Sequence, residues 1–221
     1  MRSIRVLTVA AAVTLSASLA SAQTLTYVGA GLGNNVHLIT PYSGGFDAFA
    51  GQMNLSMAGG PAAFPTSWIG YCTDLAHSVS PNESYAVDLV SLPNSGLSNS
   101  GRIGWLYSNI GSSVTTADEA TGLQLAIWDV LTDNGDGLSV GAFRTTTHGA
   151  FIQKANDYLS LSQNAIGSAT WLRSKSHPDC RHQDLLGPLS TTPNPPVPEP
   201  GTLAMLGIGA LPLLSGLRRR K

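Results

Sequence analysis

Apolar and polar positions alternate over short stretches in the N-terminal half of the chain. Alternation with period two buries one face of a β-strand, and turn-forming residues at Gly44-Gly45 and Gly59-Gly60-Pro61 separate the stretches. This half of the chain is therefore expected to supply a sheet. We predict strands in these segments: TLTYVGAG, NVHLIT, FDAFAGQMNLSM, SWIGYCTDL and SYAVDLVSL.

Further along, the apolar positions recur at helical spacing. The segment TTADEATGLQLAIWDVLTDNG predicts a helix over residues 117–132, because Thr116 and Glu119 form a candidate capping box and Asn134-Gly135 supplies a stop. RIGWLYSNIG predicts a short helix before it, and a third amphipathic helix is expected from residue 148 or 149 to 161. GSATWLRS predicts a closing strand. The expected fold class is α+β, with a β-rich sandwich or barrel-like core and a small packed helical portion.

Both ends of the chain carry targeting features. Residues 1–22 combine Arg2 and Arg5, an apolar run and the small-residue sequence Ala20-Ser21-Ala22, which together predict a cleaved secretory signal. The chain is therefore expected to be exported. Between the ends we predict one domain over residues 23–187, followed by a Pro-rich linker over 188–197.

The C-terminal tail has three parts. Pro198-Glu199-Pro200 precedes an apolar run over 201–217, and Arg218 to Lys221 follow it. At ~1.5 Å per residue the run reaches only about 25 Å, the lower limit for a transmembrane segment. The tail resembles the PEP-CTERM sorting signal, which implies transient insertion in the inner membrane, processing by an exosortase near the triplet, and delivery to the cell envelope surface or extracellular matrix. An ordinary C-terminal anchor is the alternative interpretation.

Charge argues against one class of partner. Residues 23–198 contain six of the basic and twelve of the acidic residues, a net charge of −6, so nucleic acid is not expected to bind. Only two cysteines, Cys72 and Cys180, are present, which is too few for a disulfide framework, although one bridge between them remains open.

Gln124 falls within the apolar arc of the predicted 117–132 helix, beside Trp128. An unpaired buried amide costs roughly 1–3 kcal/mol, so an inward Gln124 needs a partner. A backbone hydrogen bond to the adjacent sheet is one solution. The other is covalent: a thiol attacks the carboxamide, expels ammonia and leaves an internal thioester.

Two short motifs favour the covalent solution. YCTD, containing Cys72, and QLAIW, beginning at Gln124, together resemble the paired motifs of the thioester domain family. That resemblance implies a Cys72–Gln124 thioester that reacts once with an amine-bearing surface or matrix component, as an anchor and not an enzyme, without cofactor or metal. It also implies that Trp128 shields the bond and that Asp74 is a neighbouring residue. Because a thioester must be kept dry, Tyr71 and Ile127 are expected to complete the apolar wall with Trp128.

Two other functions remain open. One is a passive structural matrix protein in which Cys72 is free or disulfide-linked to Cys180. The other is a secreted serine hydrolase using Ser139, because GLSVG satisfies the Gly-x-Ser-x-Gly pattern, although it lacks the strand before it and the helix after it that a nucleophile elbow requires.

Three weaker patterns are interpreted as ordinary loops. HPDCRH has a spacing compatible with metal ligands but lacks a fourth ligand, and we expect a solvated loop there. DNGDG, from Asp133 to Gly137, resembles part of a calcium loop without its full alternation, and we expect a helix stop and turn. The remaining histidines are expected to be ordinary polar residues: His37, His77 and His148.

Overall fold

The structure is a computed structural model that describes residues 23–175 and 182–190. The predicted secretory signal, the sorting tail, most of the Pro-rich linker and Cys180 lie outside the described residues. The predicted boundaries of the domain, linker and tail accordingly remain predictions.

Seven strands form the sheet, and every pairing among them is antiparallel in the described residues. The two segments predicted as separate strands at the start of the chain form one long strand, because irregular pairing near Gly29 and Gly33 lets it bend without ending. The strands are β1 Thr24–Thr40, β2 Ser43–Ala58, β3 Ser67–Cys72, β4 Glu83–Ser91, β5 Arg144–Thr145, β6 Thr170–Ser174 and β7 Leu185–Gly187.

The strand pairings close into a ring. The first residues of β1, Thr24 to Tyr27, pair with β2 on one side and with β4 on the other. The ring continues from β2 through β3, β7 and β6 to β4, while β5 adds to the far end of β1. The predicted α+β fold with a sheet-rich core is confirmed, and its closure corresponds to the barrel-like alternative.

Within the described residues, three α-helices follow the first four strands: α1 Ser100–Trp105, α2 Ala117–Asp133 and α3 Ala150–Leu161. A π-helical turn, Leu106–Ile110, extends α1. The predicted capping box at the start of α2 is present, since Glu119 N donates to Thr116 Oγ1 at 3.2 Å and Glu119 Oε2 accepts from Thr116 N at 3.2 Å. None of the helices in the described part of the chain is long and apolar enough to span a bilayer.

Helix α2 lies between two apolar clusters. Its Leu125 and Trp128 pack with side chains from the strands, whereas Leu123, Ile127 and Val130 join a second cluster that includes α1. Most of the helix is therefore buried, and the polar residues Thr121, Gln124 and Asp129 are buried with it. This placement brings α2 against the end of β3.

Candidate functional site

A cavity of about 320 Å³ lies where the end of β3 meets α2. Apolar residues from β2 and from the segment after β3 form much of its wall, including Met53, Leu75 and Val79. Among the residues with reactive or hydrogen-bonding side chains that line it are Cys72, Asp74, His77, Gln124 and Trp128. The two short motifs that sequence analysis singled out therefore meet at one site.

The side chain of Gln124 is paired with a single residue. Its Oε1 accepts from Cys72 N at 2.8 Å, and its Nε2 donates to Cys72 O at 2.8 Å. Gln124 is only 1% exposed, so these contacts satisfy an amide that would otherwise be costly to bury. The backbone hydrogen bonds predicted for an inward glutamine are present, and their partner is the cysteine of the other motif.

The thiol of Cys72 is also buried, at 3% exposure. Sγ donates to Asp74 O at 2.9 Å and accepts from Asp74 N at 3.2 Å. Burial raises the pKa of Cys72 to about 12, although the backbone of Asp74 and the indole of Trp128 partly offset this effect. The sulfur is a neutral thiol near pH 7 and needs a base to act as a nucleophile.

An Asp–His pair lines the same cavity as the thiol. Asp74 Oδ1 accepts from the N–H groups of Ala76 and His77 at 2.8 and 3.2 Å, which fixes the turn after β3. Asp74 Oδ2 lies 2.7 Å from His77 Nδ1, so the carboxylate orients the imidazole. The sequence pattern predicts His77 to be an ordinary polar residue, and this prediction misses its place at the cavity; its three-residue spacing from Asp74 was the available signal.

The residues predicted to shield the site fall into two groups. Trp128 lines the cavity and packs against Phe143, with ring centroids 6.2 Å apart. Tyr71 and Ile127 belong to the second apolar cluster instead. Tyr71 precedes Cys72 on a strand, so the two side chains point to opposite faces, and Tyr71 packs edge-on against Tyr107.

The other candidate sites have no comparable surroundings. Ser139 is exposed in the turns between α2 and β5, without a preceding strand or a following helix. His182 stacks on Tyr85 at 4.5 Å and lies 3.2 Å from Glu83 Oε1. The remaining residues of the HPDCR segment lie outside the described part.

Comparison with known families locates the sorting signal. Residues 196–221 match the model of the PEP-CTERM protein-sorting motif, so the predicted motif around Pro198, Glu199 and Pro200 is confirmed. The chain is therefore an exported protein of the kind that exosortase processes, and its destination is the cell envelope or the extracellular space. The match covers the tail and not the domain. No curated protein matches the chain, and the resemblance to thioester domains stays a hypothesis.

Proposed function

We propose that the exported domain forms an internal thioester between Cys72 and Gln124 and uses it to attach covalently to an amine. The observation that carries this proposal is that both polar atoms of the Gln124 amide are hydrogen-bonded to Cys72, in a cavity that the Cys72 side chain also lines. Such positioning makes ring closure effectively unimolecular.

The same contacts suggest how the bond forms. The sulfur attacks Gln124 Cδ, and Cys72 N–H, already donating to Oε1, stabilises the developing oxyanion. His77, oriented by Asp74, accepts the thiol proton and returns it to the departing nitrogen. One thiol and one carboxamide thus become one thioester and one ammonia.

The stored acyl group would then react with a primary amine. The amine nitrogen attacks the Gln124 acyl carbon, the C–S bond breaks, and the thiolate takes a proton to regenerate the Cys72 thiol. Asp47 and Asp74 line the cavity, and the net negative charge of the domain favours the approach of cationic partners such as lysine side chains or polyamines. The anchor acts once, at the cell surface or in the extracellular matrix, and needs no cofactor.

Intact mass of the secreted, unreduced protein tests the proposal, combined with peptide mapping. We expect the loss of one ammonia, mapped to a Cys72–Gln124 crosslink and absent from both Cys72→Ala and Gln124→Met. Methylamine should then add to Gln124 while exposing one new thiol. An unchanged mass under conditions that preserve thioesters, or a loss of two hydrogens mapped to Cys72–Cys180, would contradict the proposal.

A passive structural role is the second candidate, and a specific observation favours it. Both hydrogen bonds of Gln124 satisfy the backbone at the end of β3, which is a sufficient reason to bury this amide. In that case Cys72 contributes packing or a disulfide, and methylamine leaves the protein unchanged. The same mass measurement therefore separates the two candidates.

A further inference from the structure

Three carboxyl groups converge at the end of α2. Asp129 and Asp133 lie four residues apart on the helix, and Asp136 lies in the loop that follows. One oxygen from each lies within 4.8 Å of the others. Asp129 is 0% exposed, Asp133 is half-buried and Asp136 is exposed, so the cluster is closed on one side and open to water on the other.

The hydrogen bonds leave two inner oxygens unsatisfied. Asp129 Oδ2 accepts from Gly137 N at 3.0 Å. Asp133 Oδ2 accepts from Ala142 N and Phe143 N at 2.7 and 2.8 Å. The other oxygens, Asp129 Oδ1 and Asp133 Oδ1, are buried and have no hydrogen-bond partner within the described residues. Buried polar atoms are normally paired, so these two oxygens require either a shared proton or a cation between them.

The nearest basic residue does not supply that charge by direct contact. The guanidinium of Arg102 donates to Ser162 Oγ, Asn134 O and Leu159 O. No ion pair joins a Lys or Arg side chain to any of the three carboxylates within residues 23–175 and 182–190. Arg102 makes the local electrostatic potential less negative through its interaction with Asp129, but its hydrogen bonds go to other residues.

We propose that Asp129, Asp133 and Asp136 bind a divalent cation, with calcium preferred. Calcium takes carboxylate and water oxygens at ~2.3–2.6 Å in flexible geometry, and ligand oxygens around one such ion lie up to about 5 Å apart. The open side at Asp136 would admit the water ligands. Gly141 supports this arrangement, because any side chain there would collide with the carboxylates of Asp133 and Asp136.

The structure has the helix stop and turn predicted at DNGDG, and the proposed site would give the same segment a second role. The motif contains two of the three carboxylates, and the third, Asp129, lies one helical turn before it. A cation here would tie the loop over residues 134–143 to α2. Phe143, held by Asp133 through its N–H, packs against Trp128 in the wall of the Cys72 cavity.

Calcium titration of the full, EDTA-treated protein tests the proposal, by calorimetry and by the melting temperature. We expect saturable binding with a Kd of roughly 10⁻⁴–10⁻³ M or tighter, the range of extracellular calcium modules, and a rise in Tm that magnesium reproduces only weakly. Asp129→Asn should abolish both effects. Asp157→Asn is the matched control, because Asp157 is an exposed acid on α3 that contacts Gln153 and not the cluster.

A second variant keeps the test decisive where Asp129→Asn does not fold. Asp136 is exposed, so Asp136→Asn should fold normally and weaken calcium binding at least tenfold. A proton shared by Asp129 and Asp133 is the competing explanation for the two buried oxygens, since burial, and then Asp133, raise the pKa of Asp129. Absence of calcium binding at pH 8, or equal binding in wild type and Asp136→Asn, would overturn the proposal; equal Tm shifts with magnesium would overturn the calcium preference.

Discussion

Removing the amide of Gln124 should destabilise the fold by leaving a buried backbone unit without partners. The clean perturbation is Gln124→Met in a Cys72→Ala background, where no thioester can form and only the hydrogen bonds are tested. Methionine keeps the length and approximate volume of the side chain. Both hydrogen bonds remain in Cys72→Ala, because they involve the backbone N and O of residue 72, which alanine also carries. Methionine at position 124 removes both of them.

The expected cost follows from the two 2.8 Å hydrogen bonds. Each buried backbone group left unpaired costs about 1–3 kcal/mol, so the double variant should lose about 2–6 kcal/mol relative to Cys72→Ala. Urea unfolding at equilibrium measures this difference directly. The apolar gain from methionine brings the result toward the lower end of that range.

Gln52→Met provides the matched control. Gln52 is also buried, at 8% exposure, but within the described residues its Oε1 accepts a single long hydrogen bond, from Leu32 N at 3.4 Å. Its replacement should cost less than about 1 kcal/mol. If Gln124→Met costs no more than Gln52→Met, the Gln124–Cys72 pairing is not a significant part of the folded state, and the argument for a positioned amide is refuted.

Two further predictions concern packing and pH. Gly122→Ala should destabilise the protein despite the higher helix propensity of alanine, because the new Cβ would lie 2.6 Å from Lys154 Cβ and 3.0 Å from the backbone of α3. Urea unfolding should show a lower free energy of unfolding for this variant. Gly101→Ala is the control and should show no loss, because its Cβ would contact Ile166 at an ordinary 3.5 Å. Burial raises the pKa of Asp184 to about 6, above its unfolded value near 4, so the folded state binds the proton more tightly and stability should fall as pH rises through that interval. Thermal unfolding from pH 4 to 7 should show this slope in the wild type and a flatter one in Asp184→Asn; identical slopes would contradict the assignment.

Local signals in the sequence defined α2 closely. The capping box and the Asn134-Gly135 stop predicted residues 117–132, and the helix ends one residue later, because Asn134 adopts the left-handed C-cap conformation at φ 69°. β7 was missed since Leu185–Gly187 is too short to show a period, and its place is fixed by pairing with β3 and β6. Long-range pairing of this kind leaves little trace in a single sequence.

The candidate site, like the fold, was predictable where local motifs define it and not where long-range contacts do. Cys72 and Gln124 could be paired from their motifs, and the structure brings them into hydrogen-bond contact. The role of His77 at the cavity was not predicted, because it depends on how the turn after β3 folds back. The cluster around Asp129 was missed for a similar reason: its partner carboxylates come together only after the chain turns at the end of α2.

A conflict in α2 itself was nevertheless visible in the sequence. Asp129 and Asp133 place like charges at i and i+4, which is unfavourable, and they do so near the negative end of the helix dipole with no basic residue in the last turn. Such unfavourable charges in a buried helix are expected to be offset by a favourable interaction elsewhere in the structure. A cation between the carboxylates would provide it, and would stabilise the same helix that presents Gln124 to Cys72. The position of the amide and the charge at the end of α2 would then be linked through one rigid element.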